Sequence, residues 1–297
     1  MSRFVITALL AAQATIPGTL FQPWGAGGYQ TVNAIEFSPD GQSMFVALFP
    51  AQVAKIEGRP AAPGAPEVAL YESRRDGSGW SRPHLLPFAG RWKDYEASLS
   101  PDGQWMLFNS WRPMPDGRTS EKNNLWLARR TAQGWSSPVY LSGINRPETE
   151  ESYAAIAPGG LVVFLGEGPA DAHGTDYNLY QTRITGDTAS APAPFAPAAT
   201  NAGESDPWFA RDGSYVIFTR WDRAKKWEED VDLYVTFERD GQWTRPVPLS
   251  LNDPAGPDYA VSIAGTPETV YWKRRGGTFH APWAPILADA RARAGLR

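Results

Sequence analysis

The sequence NAIEFSPDGQSMFVALF at residues 33–49 carries the pattern that decides the fold, and related stretches return four times along the chain. These are YEASLSPDGQWMLFNSW at 95–111, SYAAIAPGGLVVFLGE at 152–167, SDPWFARDGSYVIFTRW at 205–221 and the weaker YAVSIAGTPETVYWK at 259–273. Successive copies are 62, 57, 53 and 54 residues apart, measured at Asp40, Asp102, Gly159, Asp212 and Thr266. This spacing is typical of the four-stranded blades of a β-propeller.

A second motif follows each copy of the first. It appears as VALYESRRDGSGWSRPHLL at 68–86, NLWLARRTAQGWSSPVYL at 124–141 and DLYVTFERDGQWTRPVPL at 232–249. In the third repeat NLYQTRITGD at 178–187 keeps the first strand of this motif, and we expect the second strand to have decayed into the Ala/Pro-rich stretch 189–199. Turns of the PDG type then join strands A and B, and Gly-Trp turns join strands C and D, so each repeat supplies two hairpins.

Closure of the ring is predicted from a strand that has no repeat of its own. In complete repeats a Leu ends strand D (Leu86, Leu141 and Leu249) shortly before the next strand A, and Leu20 precedes the first repeat in the same way. The last repeat has strands A and B and a possible strand C near 278–283. We therefore expect an all-β, five-bladed propeller of four-stranded blades over residues 15–284, in which residues 15–20 complete the fifth blade. Residues 285–297 form a carboxy-terminal tail.

Composition limits the classes of protein that the chain can belong to. Its 297 residues are 42% hydrophobic and 12% aromatic, enough for a large core. A net charge of −4 gives no electrostatic footprint for a phosphate backbone, so nucleic acid is not an expected partner. Cysteine is absent, which excludes disulfides, thiolate catalysis and cysteine-ligated metals.

The amino terminus resembles a short secretory signal. Arg3 precedes the apolar run at 4–12, and Ala12-Gln13-Ala14 has the small-x-small pattern of a cleavage site. We expect residues 1–14 to be a signal peptide and the protein to be periplasmic or secreted. A first strand or a flexible start is the alternative. The run is too short to span a membrane, and no later run is longer.

The repeated residues resemble the TolB-like, WD-type β-propeller family, also described by its PD repeat. The resemblance rests on FSPDG, LSPDG, the N/D-L-Y/W strands and GW-S/T-x-P, and it extends from residue 15 to about 283. It implies the propeller fold and, for function, the roles found in that family: periplasmic scaffolds, propellers joined to peptidoglycan-binding modules, and propellers that gate peptidases. The best-known member has six blades and an extra domain, so its partner contacts do not transfer to this chain.

Candidate site residues come from the face that carries the long B–C loops, predicted at 50–67, 112–123, 168–177 and 222–230. Acids recur at the start of strand A, where the first repeat has Val32, and we expect them to serve mainly as structural bridges. Basic residues end strand B, with Lys273 as a third, less well aligned, member. Tryptophans and one histidine complete the set. The expected ligand-binding residues are Trp92, Asp94, Trp111, Arg112, Glu151, His173, Glu204, Arg220, Trp221, Trp227 and Asp258.

Two functions from different classes follow from this site. The first is an exported, non-catalytic propeller that binds an envelope protein or glycan on its top face. The second is a glycoside hydrolase in which Asp94 and Glu151 act as the paired carboxylates. The three histidines are not placed to chelate metal together, and the chain has no nucleotide-binding or serine-nucleophile motif, so we expect neither metal nor cofactor.

Overall fold

The computed structural model describes residues 16–119, 122–171, 174–227 and 229–296, and they form the predicted five-bladed β-propeller. The proposed signal segment, 1–14, lies outside the described residues. Blade 1 contains β2 (Thr31–Phe37), β3 (Ser43–Leu48), β4 (Ala69–Asp76), β5 (Gly79–Trp80) and β6 (His84–Leu85). Blade 2 contains β7 (Asp94–Leu99), β8 (Trp105–Ser110), β9 (Asn124–Thr131), β10 (Gly134–Trp135) and β11 (Val139–Tyr140). Blade 3 contains β12 (Glu151–Ile156), β13 (Leu161–Asp171), β14 (Gly174–Thr185), β15 (Thr188–Ala189) and β16 (Ala193–Pro194).

Blade 4 contains β17 (Gly203–Phe209), β18 (Tyr215–Trp221), β19 (Val231–Arg239), β20 (Gln242–Trp243) and β21 (Val247–Pro248). Blade 5 contains β22 (Asp258–Ala264), β23 (Thr269–Arg274) and β24 (Gly277–Pro282), and its fourth strand is β1 (Thr19–Leu20). Among the described residues, two α-helices lie outside the blades, α1 (Pro50–Ile56) in the first B–C connection and α2 (Trp283–Arg293) after β24. Within the described residues, no helix combines the length and apolar character needed to cross a membrane.

The PDG turns form as predicted between strands A and B. In blade 1 the Asp40 carboxylate accepts hydrogen bonds from the Ser38 hydroxyl and the Gln42 backbone N–H, at 2.5 and 3.0 Å. Gly41 follows with φ = 68°, a left-handed conformation that glycine adopts without steric cost. Ser100 and Asp102 repeat the side-chain contact in blade 2 at 2.5 Å. The turn is therefore specified locally, by side chains within the repeat.

The outer strand of a complete blade consists of two short pieces rather than one strand. The Trp-Ser/Thr-x-Pro motif explains the interruption, because proline has no N–H to donate to the neighbouring strand. The prediction that this strand has decayed in blade 3 is wrong, since β15 and β16 both pair with β14. This pairing uses backbone groups, so it forms although blade 3 lacks the tryptophan of the Trp-Ser/Thr-x-Pro motif. Ser190 also takes the place of Ser81, with its carbonyl accepting a hydroxyl hydrogen bond from strand C at 2.6 Å.

Closure of the ring is confirmed, over a shorter strand than the sequence indicated. Thr19 and Leu20 pair antiparallel with His280 and Phe279 of β24. Backbone bonds extend the contact, from the Phe21 N–H to the Thr278 carbonyl at 2.8 Å and from the Ile16 N–H to the Ser250 carbonyl at 3.0 Å. The amino-terminal segment thus covers the edge of the last blade.

Apolar clusters between neighbouring blades form the core, and the carboxy-terminal helix covers one of them. Trp283 and Ile286 of α2 are fully buried against blades 4 and 5, and the Trp283 indole N–H donates to the Tyr215 hydroxyl at 2.8 Å. Two of the predicted B–C loops are regular instead. The first contains α1, and the third, 168–177, is mostly an extension of the β13–β14 hairpin.

Candidate functional site

Every innermost strand has a β-bulge close to its start. The pairing with strand B shifts register there in all five blades. The bulged residue has a left-handed backbone, with φ between 47° and 57°. Such conformations cost energy in non-glycine residues and are concentrated at functional sites, and a bulge re-aims the side chain that it carries. The bulged residues are Asn33, Glu96, Tyr153, Asp206 and Ala260.

The predicted acids lie two residues before the bulges, and all of them are buried in ion pairs with side-chain exposure of 1% or less. The pairs are Asp94–Arg112 at 2.7 Å, Glu151–Arg146 at 3.0 Å, Glu204–Arg220 at 3.1 Å and Asp258–Arg274 at 2.7 Å. Hydroxyl groups add further bonds, such as that from Ser110 to Asp94 at 2.6 Å. Burial raises the pKa of Asp94 to about 6, although Arg112 acts to lower it. This arrangement is that of a structural bridge repeated in four blades.

The structure corrects the sequence alignment at two of these positions. In blade 5 the partner of the strand-A acid is Arg274, whereas the Lys273 ammonium donates to the carbonyl and hydroxyl oxygens of Thr31, at 2.9 and 2.7 Å. In blade 1 the bulge at Asn33 makes Thr31, rather than Val32, the equivalent of the acids. Both errors in the alignment are of one residue.

Two carboxyl groups meet inside the channel. Glu96 and Asp206 line a small cavity of about 30 Å³ together with Tyr153 and Ala260, so four blades contribute their bulged residue. Glu96 is 8% exposed; its Oε1 accepts the Ala34 N–H at 3.2 Å and its Oε2 has no hydrogen-bond partner. Burial raises the pKa of both carboxyls, and the charge of Asp206 raises that of Glu96 further. The pair therefore resists carrying two negative charges.

A larger pocket of about 370 Å³ shares Tyr153 and Asp206 with this cavity and opens among the B–C connections of the top face. We call it the mouth pocket. Five aromatic residues supply much of its wall, and the remainder is mainly polar. Its lining residues are Tyr153, Tyr177, Trp221, Trp227, Tyr259, Leu165, Asn33, Glu150, Ser205 and Asp206.

The aromatic wall is assembled from two blades. Trp227 packs edge-to-face against Trp221 of blade 4 at 5.0 Å and Tyr259 of blade 5 at 5.8 Å, measured between ring centroids. Trp221 lies over the backbone of Gly203, where a Cβ would be 2.1 Å from the indole. Glycine is thus needed at 203 for this position of the ring. The wall is fixed by packing before any ligand arrives.

The other predicted site residues lie elsewhere. The Trp111 indole donates to Asn123 Oδ1 at 2.9 Å, and the Lys93 ammonium lies 4.5 Å from its ring centre. Trp92 is half-buried, with the Arg91 guanidinium 5.1 Å from its ring centre. Neither side chain lines the mouth pocket. His173 lies outside the described residues. Of the predicted residues, the structure brings Trp221 and Trp227 together in the pocket.

Sequence reasoning missed several of the pocket residues, among them Tyr153, Asp206 and Tyr259. A usable signal was present at the bulged position, where Asn33 and Asp206 are of the type that tolerates a left-handed backbone. Glu96 and Tyr153 at the same position have no such preference. The pocket also draws Glu150 from just before strand A, where its Oε1 accepts hydrogen bonds from Asn123 and Ser152 at 2.7 and 2.9 Å.

Fold and site together define a five-bladed β-propeller with an aromatic pocket at the mouth of its channel. No protein-family model and no curated protein matches the chain. Solved structures match it at the level of fold. One is a protein of unknown function from Dyadobacter fermentans, with 14% identity, TM-score 0.52, and coverage of 85% of this chain and 78% of the other.

Two enzymes that act on saccharides are also similar in fold. An α-L-arabinofuranosidase from Lactobacillus brevis has 9% identity and a TM-score of 0.53, with coverage of 85% of this chain and 91% of the other. A mannose phosphorylase from Leishmania mexicana has 10% identity and a TM-score of 0.50, with coverage of 92% and 91%. At these identities the similarity establishes the propeller fold.

Proposed function

We propose that the protein is an exported, TolB-like, non-catalytic propeller that binds a cell-envelope glycan in the mouth pocket. The observation that carries this proposal is the composition of the pocket, in which five aromatic side chains surround a few hydrogen-bonding groups. Sugar rings present apolar C–H faces and a rim of hydroxyls. Aromatic faces with polar groups at their edges suit such a ligand.

Preorganisation supports a glycan more than a protein partner. Trp227 is held between Trp221 and Tyr259, and Glu150 is held by Asn123 and Ser152, so little ordering is needed on binding. The pocket is concave and of the size usual for small ligands, whereas a protein partner would need a broad interface. The names of the two saccharide-active structures of similar fold agree with this choice.

The test is a glycan array followed by calorimetry on the glycans that bind. Trp227→Ala removes a stacking ring and should weaken binding by about tenfold or more, a loss of about 1.4 kcal/mol. Trp92→Ala is the matched control, because Trp92 is a half-buried tryptophan outside the pocket. Binding that is equally sensitive to both changes, or no glycan binding at all, would overturn the proposal.

Export is a separate part of the proposal and rests on Arg3, the apolar run at 4–12 and Ala12-Gln13-Ala14. Expression of the full chain in a bacterial host, followed by mass spectrometry of the periplasmic and secreted fractions, should find a mature start near residue 15. Unprocessed protein confined to the cytoplasm would contradict it.

Glycoside hydrolysis is the second candidate function, with different residues from those that the sequence indicated. Asp94 and Glu151 are committed to arginines, but Glu150 and Asp206 both line the mouth pocket. Burial raises the pKa of Asp206, which suits a group that donates a proton to a leaving oxygen. This function predicts release of reducing ends from a bound glycan, and loss of that release in Asp206→Asn with binding retained.

A further inference from the structure

A second, larger cavity adjoins the mouth pocket at the seam where the ring closes. It has a volume of about 580 Å³ and lies between the segment that follows β1, the start of blade 1 and the β23–β24 hairpin. We call it the seam groove. Asn33 and Tyr259 line both the seam groove and the mouth pocket, so the two cavities adjoin each other.

The walls of the two cavities differ in charge. Three cationic residues line the seam groove, Lys273, Arg274 and Arg275, and among its described lining residues none is acidic. The mouth pocket has the acids Glu150 and Asp206 in its lining and no lysine or arginine. Positive charge is therefore concentrated in the seam groove, next to an acidic pocket, although the net charge of the chain is −4.

The cations of the seam groove are not equally available to a ligand. Arg274 is committed to Asp258, with its Nε 2.7 Å from the carboxylate. Lys273 uses its ammonium to contact Thr31, which leaves one of its three donor positions. Arg275 lies exposed in the tight turn between β23 and β24. Arg275 is thus the principal charged group that a ligand would meet, with Lys273 behind it.

Another part of the groove lining, at Trp24 and Tyr29, is aromatic and preorganised. The Trp24 indole N–H donates to the Ser81 carbonyl at 2.8 Å, and the Trp24 ring packs edge-to-face on Tyr29 at 5.3 Å. Nearby, the Glu57 carboxylate is paired with Arg59 at 2.7 Å, so its charge is largely compensated. A ring-containing ligand with a negative group would find both an aromatic surface and a guanidinium in the lining of the groove.

We propose that the seam groove binds the acidic portion of a linear oligosaccharide, with carboxylate groups of the uronic acid type, whose neutral portion occupies the mouth pocket. This inference rests on the proposed function and adds the class of glycan. A planar guanidinium binds a carboxylate through two parallel hydrogen bonds, which favours Arg275 as the recognising residue. Because the two cavities adjoin at Asn33 and Tyr259, a ligand that occupies both must have several sugar units.

The experiment uses the full chain and matched pairs of probes. Tetramers and hexamers of α-linked galacturonate and of β-linked glucuronate are compared with their carboxyl-reduced, neutral counterparts by calorimetry at low and moderate salt. We expect the acidic member of a pair to bind about tenfold more tightly, the hexamer more tightly than the tetramer, and the preference to shrink as salt rises. Arg275→Ala should remove most of that preference and leave the neutral affinity unchanged.

Arg245→Ala is the matched control, because Arg245 is an exposed arginine in another outer loop. Equal affinity for acidic and neutral probes, or Arg275→Ala behaving as Arg245→Ala does, would overturn the inference while leaving glycan binding intact. Stronger binding of an acidic peptide, such as a glutamate hexamer, than of any acidic oligosaccharide would also overturn it. Failure of the proposed function has a different signature, in which no acidic or neutral saccharide binds and Trp227→Ala changes nothing.

Discussion

Replacing Arg112 with methionine tests whether the recurring strand-A acids are structural. The Arg112 guanidinium donates to both carboxylate oxygens of Asp94, at 3.2 and 2.7 Å, and to the Phe88 carbonyl at 2.7 Å. Methionine keeps much of the apolar contact with Phe108 but leaves a carboxyl of 0% exposure without its cation. Removing one partner of a buried pair costs about 3 to 5 kcal/mol.

Proton uptake limits this cost and makes it depend on pH. Burial already raises the pKa of Asp94 to about 6 against the lowering effect of Arg112, so loss of the arginine raises it further. At pH 8 the variant must keep a buried charge unpaired or bind a proton, and each additional unit of pKa costs about 1.4 kcal/mol. At pH 5 Asp94 is largely protonated in both proteins, and the remaining loss is about 1 kcal/mol from hydrogen bonds.

Urea denaturation of the wild type and Arg112→Met at pH 5 and pH 8 measures this difference. We expect a loss of about 3 kcal/mol at pH 8 that shrinks by more than half at pH 5. Adding Asp94→Asn to Arg112→Met should restore stability at pH 8, because it removes the stranded charge. Arg118→Met, in an exposed pair with Asp116, is the control and should have no effect. An equal loss at both pH values, or none at pH 8, would refute the bridging role.

Three further changes test the channel, the closure and the mouth pocket. Burial raises the pKa of Glu36 from 4.5 to about 8. Between these two pH values the folded state keeps a proton that the unfolded state loses, so the free energy of unfolding should fall as pH rises. Glu36→Gln should flatten this dependence in urea titrations, and an unchanged slope would contradict it. Gly18→Ala places a Cβ 2.3 Å from the Trp272 ring. It should lower Tm by several degrees in calorimetry, and an unchanged Tm would show that close packing of Gly18 on Trp272 does not contribute to stability. Gly203→Ala should displace the Trp221 ring and weaken glycan binding with little loss of stability, whereas unaltered binding would exclude that ring from the site.

The sequence was sufficient to predict the blades and the closure, because both depend on local turns and on spacing. Asp40 and Gly41 specify a turn by contacts within a few residues, and Leu20 occupies a place that the repeats define. The site was harder to predict from the sequence. In a regular strand Glu204 and Asp206 would lie on the same face. The bulge at Asp206 separates the two, so Asp206 lines the channel cavity whereas Glu204 is buried against Arg220.

The mouth pocket was hidden for a second reason, which is that it combines residues from several blades without a repeated motif. Tyr259 and Trp227 meet because two neighbouring blades converge; Trp227 has no equivalent in the other repeats, and Tyr259 has a tyrosine equivalent only in blade 2, at Tyr95. Comparison of the repeats emphasises the residues that the blades share, such as Asp94 and Glu204. Those residues form the buried ion pairs of the blades. The differences between repeats carried more information about the pocket than the similarities did.

The pairing of β1 with β24 makes the last blade depend on two segments that are far apart in the chain. Thr19 leaves the ribosome 261 residues before its partner His280, and Leu20 leaves it 259 residues before Phe279. Until β24 is made, the early segment has no strand to join, and afterwards the fifth blade has an open edge until the two meet. Contacts so distant in sequence form slowly, and open strand edges pair readily with other chains. We therefore expect the interval before β1 reaches β24 to be the period in which the fifth blade is most exposed to aggregation.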